Sequence, residues 1–220
     1  MTDFVGNIRR ALGVRGDEPE RLALVAERLK TAPRNLVPQE ALLPHEELVA
    51  AFLFRLEEME TTTAHVDGLA DVANEIARFM IVTDLPHQIR CGADPVLAQV
   101  AWSEQPDIEI QHGPARESDA LSLTHAFAGA AETGTLFVAS GTDNPVTLSF
   151  LPETNIVLIR ARDIVGSYED TWLKLPWGAR GPQMPRTINL ISGPSRTADI
   201  EQTLITGAHG PRYLHVIVVG

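Results

Sequence analysis

The sequence predicts an α/β protein: a Rossmann-like, mostly parallel sheet flanked by helices, with a helical segment at its N-terminal end. Three observations carry this expectation. The apolar runs 136–138, 156–159, 188–191 and 216–219 are nearly continuous in Val, Ile, Leu and Phe, as in strands covered on both faces. Segments with helical spacing alternate with them. Hydrophobic residues make up 44% of the 220 and charged residues 21%, which suits a folded core and excludes a wholly disordered chain.

Taken in order, Phe4, Ile8 and Leu12 repeat at helical spacing and are followed by Gly13 where a cap belongs. Leu22, Val25, Ala26 and Leu29 repeat the pattern, and Pro33 ends it. Pro44 introduces a third stripe of Leu48, Val49, Phe52, Leu53, Leu56 and Met59, whose terminal Glu57, Glu58 and Glu60 read as a solvated face. Residues 61–66 are β-branched and strand-like, 69–80 are helical in period, 88–90 form a strand and 95–102 a short helix. Later, 164–175 reads as a helix, and 176–185 as a loop containing Trp177, Gly178, Gly181 and Pro182, either a lid or a surface connector. A last helix is expected from Ala198. The organisation is then a helical segment, 1–60, packed on an α/β domain, 61–220.

Charge narrows the function. Eighteen Lys and Arg stand against 29 Asp and Glu, a net charge of −11 that repels phosphate backbones and anionic membrane surfaces, so no nucleic-acid or membrane partner is expected. No apolar run approaches the ~20 residues of a membrane helix. The first residues lack a basic region followed by an apolar one, and the chain reads as cytoplasmic. Cys91 is the only cysteine, so an intrachain disulfide or an iron–sulfur cluster cannot be built. The seven histidines (His45, His65, His87, His112, His125, His209 and His215) show no metal-ligand spacing, and no bound cofactor is expected.

Several motifs fail on inspection. Gly129 and Gly134 have phosphate-loop spacing, but Thr135 stands where Lys is required. Gly193-Pro194-Ser195-Arg196-Thr197 starts like a nucleophile elbow without its second Gly. Ser195, Asp199 and His209 are in hydrolase order but crowd into one segment.

The candidate ligand contacts are the polar, Gly-rich stretches that follow strands. Ser140 and Gly141 follow one run; Ser192, Gly193, Ser195 and Arg196 follow another. Small residues, hydroxyls and a forked guanidinium suit a carboxylate or phosphate. The alternative is a plain N-capped loop in which Ser195 or Thr197 satisfies the following helix. If the sheet brings the two strand ends together, the loops face one pocket, with 132–135 lining the same region. Arg196 is then the chief anion contact, unless it pairs with Asp199 or Glu201. Glu132 sits between an apolar turn and a buried run, where a charge must be satisfied: it either caps backbone N–H groups or faces a ligand, as the weak candidate for a catalytic carboxylate.

These residues also carry a resemblance. The strings Ala131-Glu132-Thr133-Gly134-Thr135-Leu136, Ser140-Gly141, Leu151-Pro152, Ile156-Val157, Ser192-Gly193-Pro194-Ser195-Arg196-Thr197-Ala198-Asp199-Ile200-Glu201 and Gly207-Ala208-His209-Gly210-Pro211 resemble the LUD domain family. The likeness is dense from about residue 117 onward, and the 192–201 string is its most specific part. It implies a fold similar to sugar-phosphate isomerases, CoA transferases and folate cyclo-ligases. It further implies a small subunit supporting L-lactate oxidation to pyruvate, beside larger partners that hold iron–sulfur clusters. No catalytic set comes with the family, so Thr133, Gly134, Thr135, Ser140, Gly141, Ser192, Gly193, Ser195, Arg196 and His209 enter as candidate ligand contacts. Two other classes stay open: an autonomous enzyme on a carboxylate, CoA thioester or sugar phosphate using Glu132, and a ligand-sensing module.

Overall fold

The computed structural model describes residues 3–31, 36–174, 185–197 and 205–220. The loop expected at 176–185, apart from Pro185, and the helix expected from Ala198, with Asp199 and Glu201, lie outside them. By its internal contacts the chain forms two compact units, residues 1–37 and 38–220.

The first unit holds α1 (Phe4–Ala11) and α2 (Pro19–Thr31). The Asp3 carboxylate accepts the Gly6 N–H at 2.9 Å and so caps α1, while Gly13 follows it at φ 65°. Neither helix contains a buried residue.

In the second unit α3 (His45–Glu58) leads into β1 (Thr62–Val66), α4 (Val72–Val82), β2 (Gln88–Cys91), β3 (Glu109–His112) and β4 (Leu121–His125). Then come β5 (Ala128–Ala130), β6 (Thr135–Ala139), β7 (Thr154–Arg160), β8 (Ile164–Val165), α5 (Tyr168–Leu173), β9 (Ile188–Ile191), β10 (Arg196–Thr197), β11 (Ile205–Thr206) and β12 (Tyr213–Val219). Six strands form one wholly parallel sheet in the order β1-β12-β7-β4-β2-β3. Alternate residues explain the continuous apolar runs of β7 and β12. Ile156, Leu158, Ile217 and Val219 pack with α4 residues Ile76, Phe79 and Met80 on one face. Val157, Ile159, Val216 and Val218 pack with α3 residues Leu48, Val49, Phe52 and Leu56 on the other. Phe52 is fully buried, which stabilises the fold by about 3 kcal/mol relative to leaving it exposed. Thus α3, which the sequence reading groups with the N-terminal segment, makes its contacts with β8 and β1.

Three expectations change. Two of the four apolar runs, 136–138 and 188–191, do not join the parallel sheet: β6 and β9 belong to a separate four-stranded sheet, β8-β5-β6-β9. The link from β5 to β6 is only 131–134, too short for a parallel crossover, so the pair is antiparallel. The run 136–138 is still covered on both faces: Leu136 and Val138 join the α3 side of the core, and Phe137 meets Tyr168 and Trp172 of α5 edge-on at 5.3 and 5.4 Å, whereas Leu190 of the edge strand β9 is 45% exposed. The segment 95–102 holds not an α-helix but a 3-10 turn, Leu97–Gln99, followed by a second at Trp102–Glu104. Finally, 164–175 starts as strand β8, because Ile164 fills the core beside Leu136, and turns helical only after Ser167, whose hydroxyl accepts the Asp170 N–H.

Candidate functional site

In an all-parallel sheet, ligands gather at the carboxyl ends of strands where successive connections leave in opposite directions. Here that point lies between β2 and β4. The chain leaves β2 toward β3 on one side, and leaves β4 toward β7 on the other. Asp94, three residues past β2, and His125, the last residue of β4, meet there: His125 Nδ1 lies 3.1 Å from Asp94 Oδ2. Gly92 permits the approach of the neighbouring loop, since a Cβ at this position would lie 1.9 Å from the Asp143 carbonyl oxygen.

The pair borders a cleft of about 1140 Å³, walled by the loop after β6 (Ser140 to Asn144), by Lys174, and by Pro185, Arg186 and Thr187 ahead of β9. Asp94 and His125 are mostly buried, with side chains 14% and 13% exposed. Burial pushes the Asp94 carboxyl up. The hydrogen bond and charge of His125, with the N–H groups of Val96 and Leu97, outweigh this and hold it below the usual carboxylate range. An ionised Asp94 is acceptor-only, so in this pair His125 donates through Nδ1. Nε2 is buried and has no hydrogen-bond partner among the described residues. Lys174 Nζ is held by Asp163 at 3.1 Å and by the Arg162 carbonyl at 2.6 Å, while the exposed Arg186 lies on the rim.

The sequence candidates divide between two places. Ser140 and Gly141 line the cleft, and Ser140 ties it to the β9 side: its N–H donates to the Thr187 carbonyl at 2.9 Å, and its Oγ accepts the Thr187 N–H at 3.0 Å. Ser192, Gly193, Ser195, Arg196 and His209 line a different hollow of about 250 Å³. The expected single pocket does not form. β6 and β9 are antiparallel, pairing Leu136 with Ile191 and Ala139 with Ile188, so the loops after them emerge from opposite ends of the hairpin. Four residues of strand, roughly 13 Å, separate those ends.

In the smaller hollow most polar groups are already engaged. Ser195 Oγ accepts the His209 N–H at 3.3 Å, and its own N–H donates to the Pro211 carbonyl at 2.8 Å. Arg196 donates to the Met59 carbonyl at 3.1 Å and pairs with Glu60, fastening β10 to the end of α3.

The turn before β6 does reach this end. Thr135 Oγ1 lies 2.7 Å from each of Thr133 Oγ1, Tyr168 Oη and Ser192 Oγ, a hydroxyl cluster in which Thr135 is buried, Tyr168 half-buried and Thr133 and Ser192 exposed. Gly134 holds φ 63°, and a Cβ there would press on Arg55 and Leu56 of α3. Glu132 Oε1 accepts the Tyr168 N–H at 2.8 Å, at the start of α5, realising the capping alternative.

Sequence reasoning missed Asp94 and His125. They stand 31 positions apart, Asp94 in the loop after β2 and His125 at the end of β4, and the alternation of Leu121-Ser122-Leu123-Thr124 is the one local hint that His125 ends a strand.

Comparison with known proteins agrees with this architecture. The LUD domain family model matches residues 115–219. An uncharacterized Escherichia coli protein, YkgG, is 30% identical over 224 residues, covering 95% of this chain and 93% of that protein. A Lactate utilization protein C from Geobacillus sp. (strain WCH70) is 36% identical over 176 residues, covering 73% and 71%. The crystal structure of a DUF162 family protein from Deinococcus radiodurans superposes with a TM-score of 0.59 at 20% identity, covering 81% of this chain and 99% of that one, a likeness of fold.

Proposed function

Because this chain belongs to the LUD domain family, we propose that it is a cytoplasmic subunit of an L-lactate utilization system, supporting oxidation of L-lactate to pyruvate beside iron–sulfur partner proteins. The observation that carries this reading is the 36% identity to the Geobacillus Lactate utilization protein C across most of both chains. The cysteine inventory supports a division of labour. Cys91 is buried, burial pushes its thiol up to about 11, and one inert thiol supplies no cluster ligand set. Electron-transfer centres therefore belong to partner chains in this reading. No helix among the described residues is long and apolar enough to cross a membrane.

The cleft at Asp94 and His125 is the ligand site in this proposal, with a small carboxylate or phosphate as its occupant. Its paired acid and imidazole favour, as the second reading, an autonomous enzyme working through His125. Glu132 is the poorer catalytic carboxylate, since one of its oxygens already holds the Tyr168 N–H.

Deletion of the gene should abolish growth on L-lactate while sparing growth on pyruvate. The tagged protein, drawn from native lysate, should bring down iron and acid-labile sulfide. Normal growth of the deletion strain on L-lactate overturns the proposal. Turnover of lactate by the purified chain alone replaces the subunit reading with the enzyme reading.

A further inference from the structure

We propose that a second hollow binds a small monocarboxylate with an apolar chain, its carboxylate held by Arg160 and its chain laid against Val49, Ala50 and Leu53 of α3. The hollow, of about 660 Å³, shares no lining residue with the cleft at Asp94 and lies at the carboxyl ends of β1, β12 and β7. That edge of a parallel sheet is where α/β proteins take their ligands, and small-ligand sites usually measure ~300–1,000 Å³. Register fixes how closely the parts stand. Arg160 pairs with Val219, and Val219 with Val66. One strand spacing, about 4.8 Å, therefore separates Arg160 from Val219, and two separate it from β1. On α3, Glu46, Val49, Ala50 and Leu53 fall at i, i+3, i+4 and i+7, a stripe beside the one that fills the core.

Charge and burial choose the ligand class. Among the described residues, the arginines that are not exposed are Arg55, Arg90 and Arg160. Arg55 is paired with Glu58 and Arg90 with Asp119, while the Arg160 guanidinium has neither an ion pair nor a hydrogen bond among the described residues. A half-buried guanidinium without a partner is under-satisfied, and a carboxylate answers its fork with two parallel bonds. The other polar groups of the hollow compete little. His65 donates through Nε2 to the Gly220 carbonyl at 2.8 Å. Arg162 and His45 are exposed, where water and salt screen any charge. Glu46 is exposed too, and it stands in the first turn of α3, where the helix dipole partly offsets its charge. The rest of the wall is apolar: Val49, Ala161 and Val219 are buried and Leu53 is half-buried, and none has a side-chain donor or acceptor for a ligand hydroxyl. Such a wall favours CH₂ groups over hydroxylated carbons, so chain length sets the affinity.

The test is a ligand-observed NMR titration of the purified full chain with butanoate, hexanoate and hexanamide. Hexanoate should bind about ten-fold more tightly than butanoate, roughly three-fold for each added CH₂. It should also bind about ten-fold more tightly than hexanamide, which lacks the charge. No saturable binding of hexanoate overturns the proposal. Equal affinities for butanoate and hexanoate overturn the apolar wall, and equal affinities for hexanoate and hexanamide overturn the need for a cation. Ala50→Trp, at an exposed helical position, should fill the hollow and abolish hexanoate binding at an unchanged melting temperature. Binding that persists in this variant puts the ligand elsewhere and overturns the site. Arg160→Gln should bring hexanoate down to the affinity of hexanamide. Retained affinity in the folded variant means that the guanidinium merely reaches water, which overturns its assignment. Should Arg160→Gln fail to fold, the wild-type series and Ala50→Trp still decide.

Discussion

The His215 imidazole lies flat on the Phe79 ring, centroids 4.1 Å apart and planes 12° from parallel, locking the second-layer helix α4 onto strand β12. His215 is 1% exposed; Thr62 Oγ1 is 2.9 Å from its Nδ1. Glu75 Oε1 stands 3.4 Å from Nε2 but is misaligned for a hydrogen bond and is already bound by Arg78 at 2.6 Å. Burial lowers the His215 pKa to about 4, against the opposing charge of Glu75 and with the added repulsion of Arg78.

A neutral buried histidine makes stability depend on pH with a definite sign. The folded value lies below the unfolded value of about 6.5, so the folded state binds fewer protons. Stability is complete above about pH 6.5 and falls as the pH drops toward 4, by roughly 3 kcal/mol in total. Urea unfolding of wild type and His215→Gln at pH 7 and pH 5 should show a smaller pH difference in the variant. An equal difference in both would assign the acid sensitivity to other groups.

Arg90 and Asp119 form a buried fork, Nε to Oδ2 at 2.8 Å and Nη2 to Oδ1 at 3.1 Å, which fastens β2 to the loop before β4. The Arg90 hydrogen bond holds the Asp119 carboxyl below its usual range despite burial. Asp119→Ala should cost about 3 kcal/mol, because it strands a buried guanidinium. The double variant Arg90→Met, Asp119→Leu should recover most of that loss in a denaturant-based cycle.

Thr135→Val preserves shape but removes the hydroxyl shared by Thr133, Tyr168 and Ser192. Thr135 is fully buried, but Thr133 and Ser192 are exposed and can turn to water, so the expected loss is about 1 kcal/mol, read as a lower melting temperature. A stability equal to wild type would mean that the remaining hydroxyls re-pair without it.

Arg196 was the leading anion contact by sequence, yet its guanidinium is bound to the Met59 carbonyl and Glu60. Glu60 is largely exposed, so Arg196→Ala should cost only about 0.5–1 kcal/mol and leave growth on L-lactate intact. Arg196→Lys should cost less still. Lost growth at an unchanged melting temperature would return Arg196 to the ligand site.

The α/β class was legible because it is written in local periodicity. The stripe Leu48, Val49, Phe52 and Leu56 does become the buried face of α3, and the runs of β7 and β12 do lie between two layers. The same signal could not say which sheet a covered strand joins. The run 136–138 is as apolar as 156–159, but its partner is set by a four-residue link to β5, and chain connectivity outweighed composition.

The sequence by itself determined the α/β class, the apolar stripe of α3, the lack of a thiol set for a cluster and the family resemblance, since each depends on composition or on residues close together in the chain. Only the tertiary structure decided which candidate residues meet. Antiparallel pairing of β6 with β9 sent the Ser140 and Ser192 loops to opposite ends, and parallel pairing of β2 with β4 joined Asp94 to His125. Strand direction and sheet order are properties of long-range hydrogen bonding, and no short window of sequence contains them.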